Sequence, residues 1–138
     1  MTTLQELGLA VKRLQWRHHR EATTRLSERV GLSLVQWDVL RHLHDEPEAS
    51  LHRLAVLTFQ TDQSMGELAR RMIDRGLIER ASGPGRAVRH ALTAQGDAAR
   101  NDGAGIVDEV LAESLGRLTA PERDTLHALL TKAGSADA

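Results

Sequence analysis

The sequence predicts a mainly α protein with one small β-hairpin. Three observations carry that expectation. Apolar residues recur at helical spacing in successive blocks, most of them opened by Ser or Thr and closed by Gly or Pro. Two short extended runs, 77–81 and 87–92, flank Ser82-Gly83-Pro84-Gly85-Arg86, the composition of a tight turn. The chain is 138 residues long, one domain's worth, with no internal repeat, low-complexity tract or interdomain linker.

Composition narrows the function. With 41% hydrophobic and 27% charged residues the chain has a globular balance. It has no cysteine, which excludes disulfides, thiolate zinc sites, iron–sulfur clusters and thiol redox sensing. No apolar run is long enough for a membrane span and no leader pattern is evident, so the expected location is cytoplasmic. The net charge of −1 hides an asymmetry. Residues 1–92 carry 14 Lys/Arg against 11 Asp/Glu, whereas residues 93–138 carry 4 against 8. Sixteen of the 18 basic residues are Arg, the side chain suited to forked contacts with phosphate and guanine. An arginine-favouring genome gives the same bias.

The first helix is expected over residues 4–30. Leu4, Leu7, Val11, Leu14 and His18 alternate spacings of three and four, a seam that buries against another helix. Leu9 and Trp16 form a second stripe. Two stripes on one helix suit a chain that packs one face on itself and the other on a second copy. Gly31 closes the helix.

Ser33 and Gln36 form a capping box for a second helix with Trp37, Val39, Leu40 and Leu43, ended near Pro47. Ser50 caps a short third helix carrying Leu51, Leu54, Ala55 and Leu57. Thr61 caps a fourth. Its Met65, Leu68, Ala69, Met72 and Ile73 make one apolar face, with Gln63, Glu67, Arg70 and Asp74 opposite. Gly76 stops it, and the hairpin follows.

Thr93 begins a long fifth helix with Ile106, Val107, Val110, Leu111, Leu115 and Leu118. Gly103 and Gly105 interrupt it, each costing about 1 kcal/mol relative to Ala. They mark either a flexible point or a close backbone approach. Thr119 and Glu122 box the last helix, with Pro121 in its first turn and Leu126, Leu129 and Leu130 on one face.

Helices two to four followed by a hairpin give the order of a winged helix-turn-helix. The third helix braces, the fourth enters the DNA major groove and the hairpin is the wing. The DNA-binding lobe is expected at about 33–92. The flanking helices, about 1–30 and 93–138, carry more apolar surface than this lobe can cover, so they are expected to dimerise. Leu4, Leu7, Val11, Ile106, Val110, Leu111, Leu115, Leu126, Leu129 and Leu130 are the candidate interface residues.

Over nearly its whole length the chain resembles the MarR family of bacterial transcription regulators. The marks are Leu34-Val35-Gln36-Trp37-Asp38-Val39-Leu40, Leu54-Ala55, Arg75-Gly76-Leu77-Ile78-Glu79-Arg80, Arg86, and Leu92-Thr93-Ala94-Gln95-Gly96. The resemblance implies a homodimeric repressor of a pseudo-palindromic operator, with double-stranded DNA as partner and no cofactor. It also implies a small aromatic effector held between dimer helices and DNA-binding lobe, where Leu14, His18 and Trp37 fall; the plainer reading, which we favour, is that these three simply pack. The family's wing arginine corresponds to Arg86 and enters the minor groove. Its usual aspartate two residues earlier is Pro84 here, and the wing is about two residues short.

Ten residues are DNA-contact candidates: Arg53, Gln60, Thr61, Gln63, Ser64, Glu67, Arg70, Arg71, Arg86 and Arg89. Gln63 suits adenine, and Ser64 suits base or phosphate. Glu67 either accepts from cytosine or pairs with Arg71 one turn on. Asp62 complements the helix dipole. Arg53 and Arg89 read equally as phosphate contacts or plain surface. The seven histidines show no His-x-x-x-His pair, so no metal site is expected. No phosphate-binding glycine loop or nucleophile motif points to an enzyme. A helical protein-interaction module is the alternative, because the charge is weak and Asp62 and Glu67 stand on the presented helix.

Overall fold

A computed structural model describes residues 1–82 and 88–135. Helix α1 spans Leu4–Val30, α2 Leu34–Asp45, α3 Leu51–Leu57 and α4 Asp62–Asp74. Strands β1 (Ile78–Ser82) and β2 (Val88–Leu92) pair antiparallel, from Ile78 opposite Leu92 to Ser82 opposite Val88. Helix α5 (Ala94–Ala112), a 3-10 turn (Leu115–Arg117) and α6 (Ala120–Gly134) follow. The architecture is the winged helix-turn-helix expected from the order of elements. The turn between the strands, with Arg86, lies outside the described residues.

Local chemistry sets these boundaries. Capping boxes open α1 at Thr3/Glu6, α2 at Ser33/Gln36 and α6 at Thr119/Glu122. Ser50, Thr61 and Thr93 accept from the backbone N–H three residues on, satisfying one free donor at each helix start. Gly31 adopts φ 68° and returns its N–H to the last turn of α1.

The long fifth helix is shorter than its periodicity suggests. It ends at Ala112, and Leu115 and Leu118 fall beyond it. The Ser114 hydroxyl faces His18 rather than continuing a solvent-side turn, and Leu118 is already extended at ψ 145°. Gly116 then weakens any continuation.

One core joins the second half of α1 to the lobe. Ala22 and Leu26 belong to the same buried cluster as Leu40, Leu43, Met72 and Ile78. Helix α5 packs on α1 and α2, which buries Ile106 and Val110 to 7% and 3% exposure within the chain. This corrects their assignment to the dimer interface: their stripe faces the protomer's own α1 and α2. Trp37 is likewise core, 5% exposed.

Long-range ion pairs add to this contact. Arg25 forks onto Glu113 at 2.6 and 2.9 Å, and Arg29 reaches Glu109 at 2.7 Å. The Arg25 guanidinium holds the Glu113 carboxyl below the usual carboxylate range.

The first half of α1 and all of α6 contribute no buried residue. Among the described residues no helix is long and apolar enough to cross a membrane.

Candidate nucleic-acid interface

Helix α4 is sharply divided into a buried and an exposed face. Met65, Leu68, Ala69 and Met72 are buried, each 5% exposed or less. Gln63, Ser64, Glu67, Arg70 and Arg71 are all exposed on the opposite side. Burial of one face fixes which face is offered outward, so the helix presents donors, acceptors and two guanidiniums together. Helix α3 braces α4 from behind, as the sequence leads one to expect.

The N-terminal end of α4 is tightly organised. Thr61 Oγ1 accepts from the Ser64 N–H at 3.0 Å. Gln60 is half-buried, and its side-chain amide donates to the Thr58 carbonyl at 3.3 Å. Asp62 lies in the first turn, as expected, and also meets His52 Nδ1 at 2.8 Å. The expected Glu67–Arg71 pair is absent among the ion pairs of the described residues. Such exposed pairs gain only a few tenths of a kcal/mol, too little to hold two long side chains. Glu67 and both arginines therefore face solvent separately.

Arg53 differs from Arg70 and Arg71. Its guanidinium is forked onto Glu46 at 3.1 and 3.0 Å. That contact holds the Glu46 carboxyl below its ordinary value and neutralises the arginine locally. Arg89 is half-buried on β2, and its Nε has no hydrogen-bond partner among the described residues. Two side-chain contacts at this surface were invisible to local patterning: Glu46–Arg53 and His52–Asp62. Only the tertiary fold brings these residues together.

A second feature lies between α1 and α6. Leu7, Val11, Leu14, His18, Leu115, Leu126 and Leu130 line an apolar groove of about 620 Å3. Gln15, Arg123 and His127 stand on its walls. Leu4 and Leu129 lie outside it, exposed to 88% and 58%, and Leu111 is half-buried. Five of the dimer candidates and two of the effector candidates thus share one groove.

Trp37 does not join them. Its indole N–H donates to the Arg100 carbonyl of α5 at 3.0 Å, with Arg41 over its ring. The three effector candidates are therefore not one cluster in a single chain, because α2 turns Trp37 onto α5. His18 Nε2 lies 2.5 Å from Ser114 Oγ, and burial, aided by Arg17, lowers its pKa. Among the described residues no three His, Asp or Glu side chains converge to hold a metal ion.

A three-helix lobe with a presented amphipathic helix and a hairpin defines a winged helix-turn-helix regulator. Comparisons with known proteins place it further. Residues 30–87 match the sequence profile of the MarR family. The chain is 33% identical over 108 residues to the HTH-type transcriptional repressor Rv2887 of Mycobacterium tuberculosis, covering 77% of this chain and 78% of that one. The protein therefore belongs to the MarR family, a family of transcription regulators rather than enzymes.

Solved structures agree. The crystal structure of Rv2887 in complex with DNA has a TM-score of 0.76 at 28% identity, covering 98% of this chain and 100% of that one. Its complex with salicylic acid has a TM-score of 0.75 at 29% identity, covering 97% and 98%. A mutant MarR from E. coli complexed with operator DNA shares the fold, with a TM-score of 0.82 at 23% identity over 94% of each chain.

Proposed function

We propose that this regulator is a homodimeric repressor that binds a pseudo-palindromic operator and is released by a small aromatic acid. The presented face of α4 carries the reading: Gln63, Ser64, Glu67, Arg70 and Arg71 are exposed over a fully buried opposite face. Side chains of these types read base edges and phosphates in a major groove. The repressor name of Rv2887 and its crystallisation with DNA support the same reading.

The chain acts as one unit, with residues 33–92 on DNA and the helices of 1–30 and 93–138 joining two copies. The apolar groove between α1 and α6 supports this arrangement, since a lone chain leaves it open. Two recognition helices about 34–36 Å apart would then enter successive major grooves. Arg86 would reach the flanking minor groove, whose potential attracts arginine. The site of action is the cytoplasm.

Effector release follows if a ligand favours a spacing of the two lobes that DNA does not accept. The crystal structure of Rv2887 with salicylic acid supports an aromatic acid as the ligand class. Leu14 and His18, near Arg123 and His127, offer apolar wall and basic groups at one site.

Sedimentation of the purified protein, alone and with duplex DNA, tests the assignment. Two chains per duplex are expected, with salicylate displacing the DNA. One chain per duplex, or no complex with any duplex, would refute it.

A further inference from the structure

The turn between α3 and α4 holds an unusual residue. Phe59 is the only phenylalanine of the chain. It is also the only non-glycine residue with positive φ among the described residues, at 58°. A bulky side chain rarely adopts this left-handed geometry, which glycine or asparagine meets at less cost. The ring recovers nothing from the fold, because Phe59 is 95% exposed.

The backbone gives Phe59 no choice of conformation. On one side Thr58 is buried, and its N–H and hydroxyl both donate to the Leu54 carbonyl, at 3.0 and 2.6 Å. On the other the Gln60 N–H donates to the Ala55 carbonyl at 2.8 Å. The Phe59 N–H itself donates to Val56 at 3.3 Å. A strained, fully solvated aromatic held in a rigid turn is a feature that folding alone does not account for.

Its position suggests the missing contact. Phe59 stands two residues before Thr61, the N-cap of the helix offered to DNA. Val56, 53% exposed, adds a second apolar group one turn back on α3. Along the chain this pair leads directly into the N-terminal end of α4. A phenyl ring has no donor or acceptor, and the apolar feature of the major groove is the thymine 5-methyl group.

We propose that Phe59 is a specificity-determining residue that packs its ring, beside Val56, on the methyl of a thymine at the edge of each half-site. The inference rests on DNA binding by α4. It adds an apolar reader outside the recognition helix itself.

Deoxyuridine substitution tests it. A duplex is first selected from a random pool by the wild-type protein. Each thymine is then replaced in turn by deoxyuridine, and affinity is measured at fixed salt for wild type, Phe59→Gly, Phe59→Asn and Gln63→Ala. At one symmetric position wild type should lose about threefold to fivefold on removal of the methyl. Phe59→Gly and Phe59→Asn should bind the thymine duplex that much more weakly and no longer distinguish thymine from uracil there. Gln63→Ala should still distinguish them. Both Phe59 variants should melt about 3 °C or more higher, because the turn geometry suits them.

Unchanged affinity in the Phe59 variants overturns the proposal and leaves the ring to some other surface. Weakened binding of both variants, with no thymine sensed by wild type, overturns the methyl contact. If wild type selects no duplex, the DNA reading fails with it, and that result is visible before any variant is made.

Discussion

The indole of Trp37 occupies the place that a side chain on Gly103 would take. A Cβ built there would lie 2.7 Å from Trp37 Nε1 and 3.2 Å from Leu26 Cδ2. The same nitrogen donates to Arg100, so the ring is held and cannot withdraw freely. Of the two readings the sequence leaves open for Gly103, close packing is the one the structure shows. Gly105 has nothing within 4 Å and takes no part in it.

The contrast is measurable. Gly105→Ala should stabilise the protein by up to about 1 kcal/mol, the helix-propensity gain. Gly103→Ala should destabilise it by about 1–2 kcal/mol, because overpacking against Trp37 outweighs that gain. Urea unfolding of both variants at one protein concentration decides it. Equal stability would show that the α2–α5 contact is loose.

DNA binding should separate the arginines. Arg70→Ala and Arg71→Ala should each reduce the slope of log affinity against log salt by about 1. Arg53→Ala should change it less, because Glu46 already holds that guanidinium. Gln63→Ala should alter sequence preference with the slope unchanged. Titrations at three salt concentrations give all four values, and a steeper loss for Arg53 than for Arg70 would reverse this ranking.

Stability should fall on mild acidification. His90 is 6% exposed, with Nδ1 unpartnered among the described residues, and its register neighbour is Arg80. Burial first, and Arg80 second, lower its pKa. The unfolded chain therefore takes up the proton before the folded one. Stability is full above the ordinary imidazole value near 6.5 and falls as pH drops through it toward the folded value. His18 and His42 are lowered too, chiefly by burial, and add the same sign. His90→Leu should lose less stability than wild type between about pH 7.5 and about pH 5.5. An identical loss would mean that His90 does not contribute.

The dimer prediction follows from which leucines are exposed. Leu7→Glu with Leu130→Glu should give a folded monomer, since both side chains stand outside the core. Val110→Ala should instead leave a dimer that is about 2 kcal/mol less stable, because Val110 is buried within the chain. Sedimentation and melting curves together separate the two outcomes. Monomer formation on changing Val110 alone would put the interface at α5.

Much of the fold was legible because caps and periodicity are local. Thr61, Ser33 and Thr119 mark helix starts within three residues of themselves, and the apolar face of α4 can be counted directly. The failures were tertiary. Ile106 and Val110 look no different in sequence from Leu126 and Leu130, yet α5 lies on its own chain and α6 does not. Trp37 reads in sequence either as plain packing or as a pocket wall, and only its placement against Gly103 decides for packing. Nothing in the sequence marks Phe59, because its φ of 58° is a property of the turn it closes. The candidate site was legible as a helix face, whereas the clamping of Arg53 by Glu46 depends on a turn the sequence does not specify.

Selection from a random duplex pool at fixed, stated salt tests the central claim most directly. The account predicts enrichment of a two-fold symmetric motif whose half-sites are centred about one helical turn apart. Enrichment of a single asymmetric site, or of none in the absence and presence of salicylate, would contradict a dimeric operator-binding repressor.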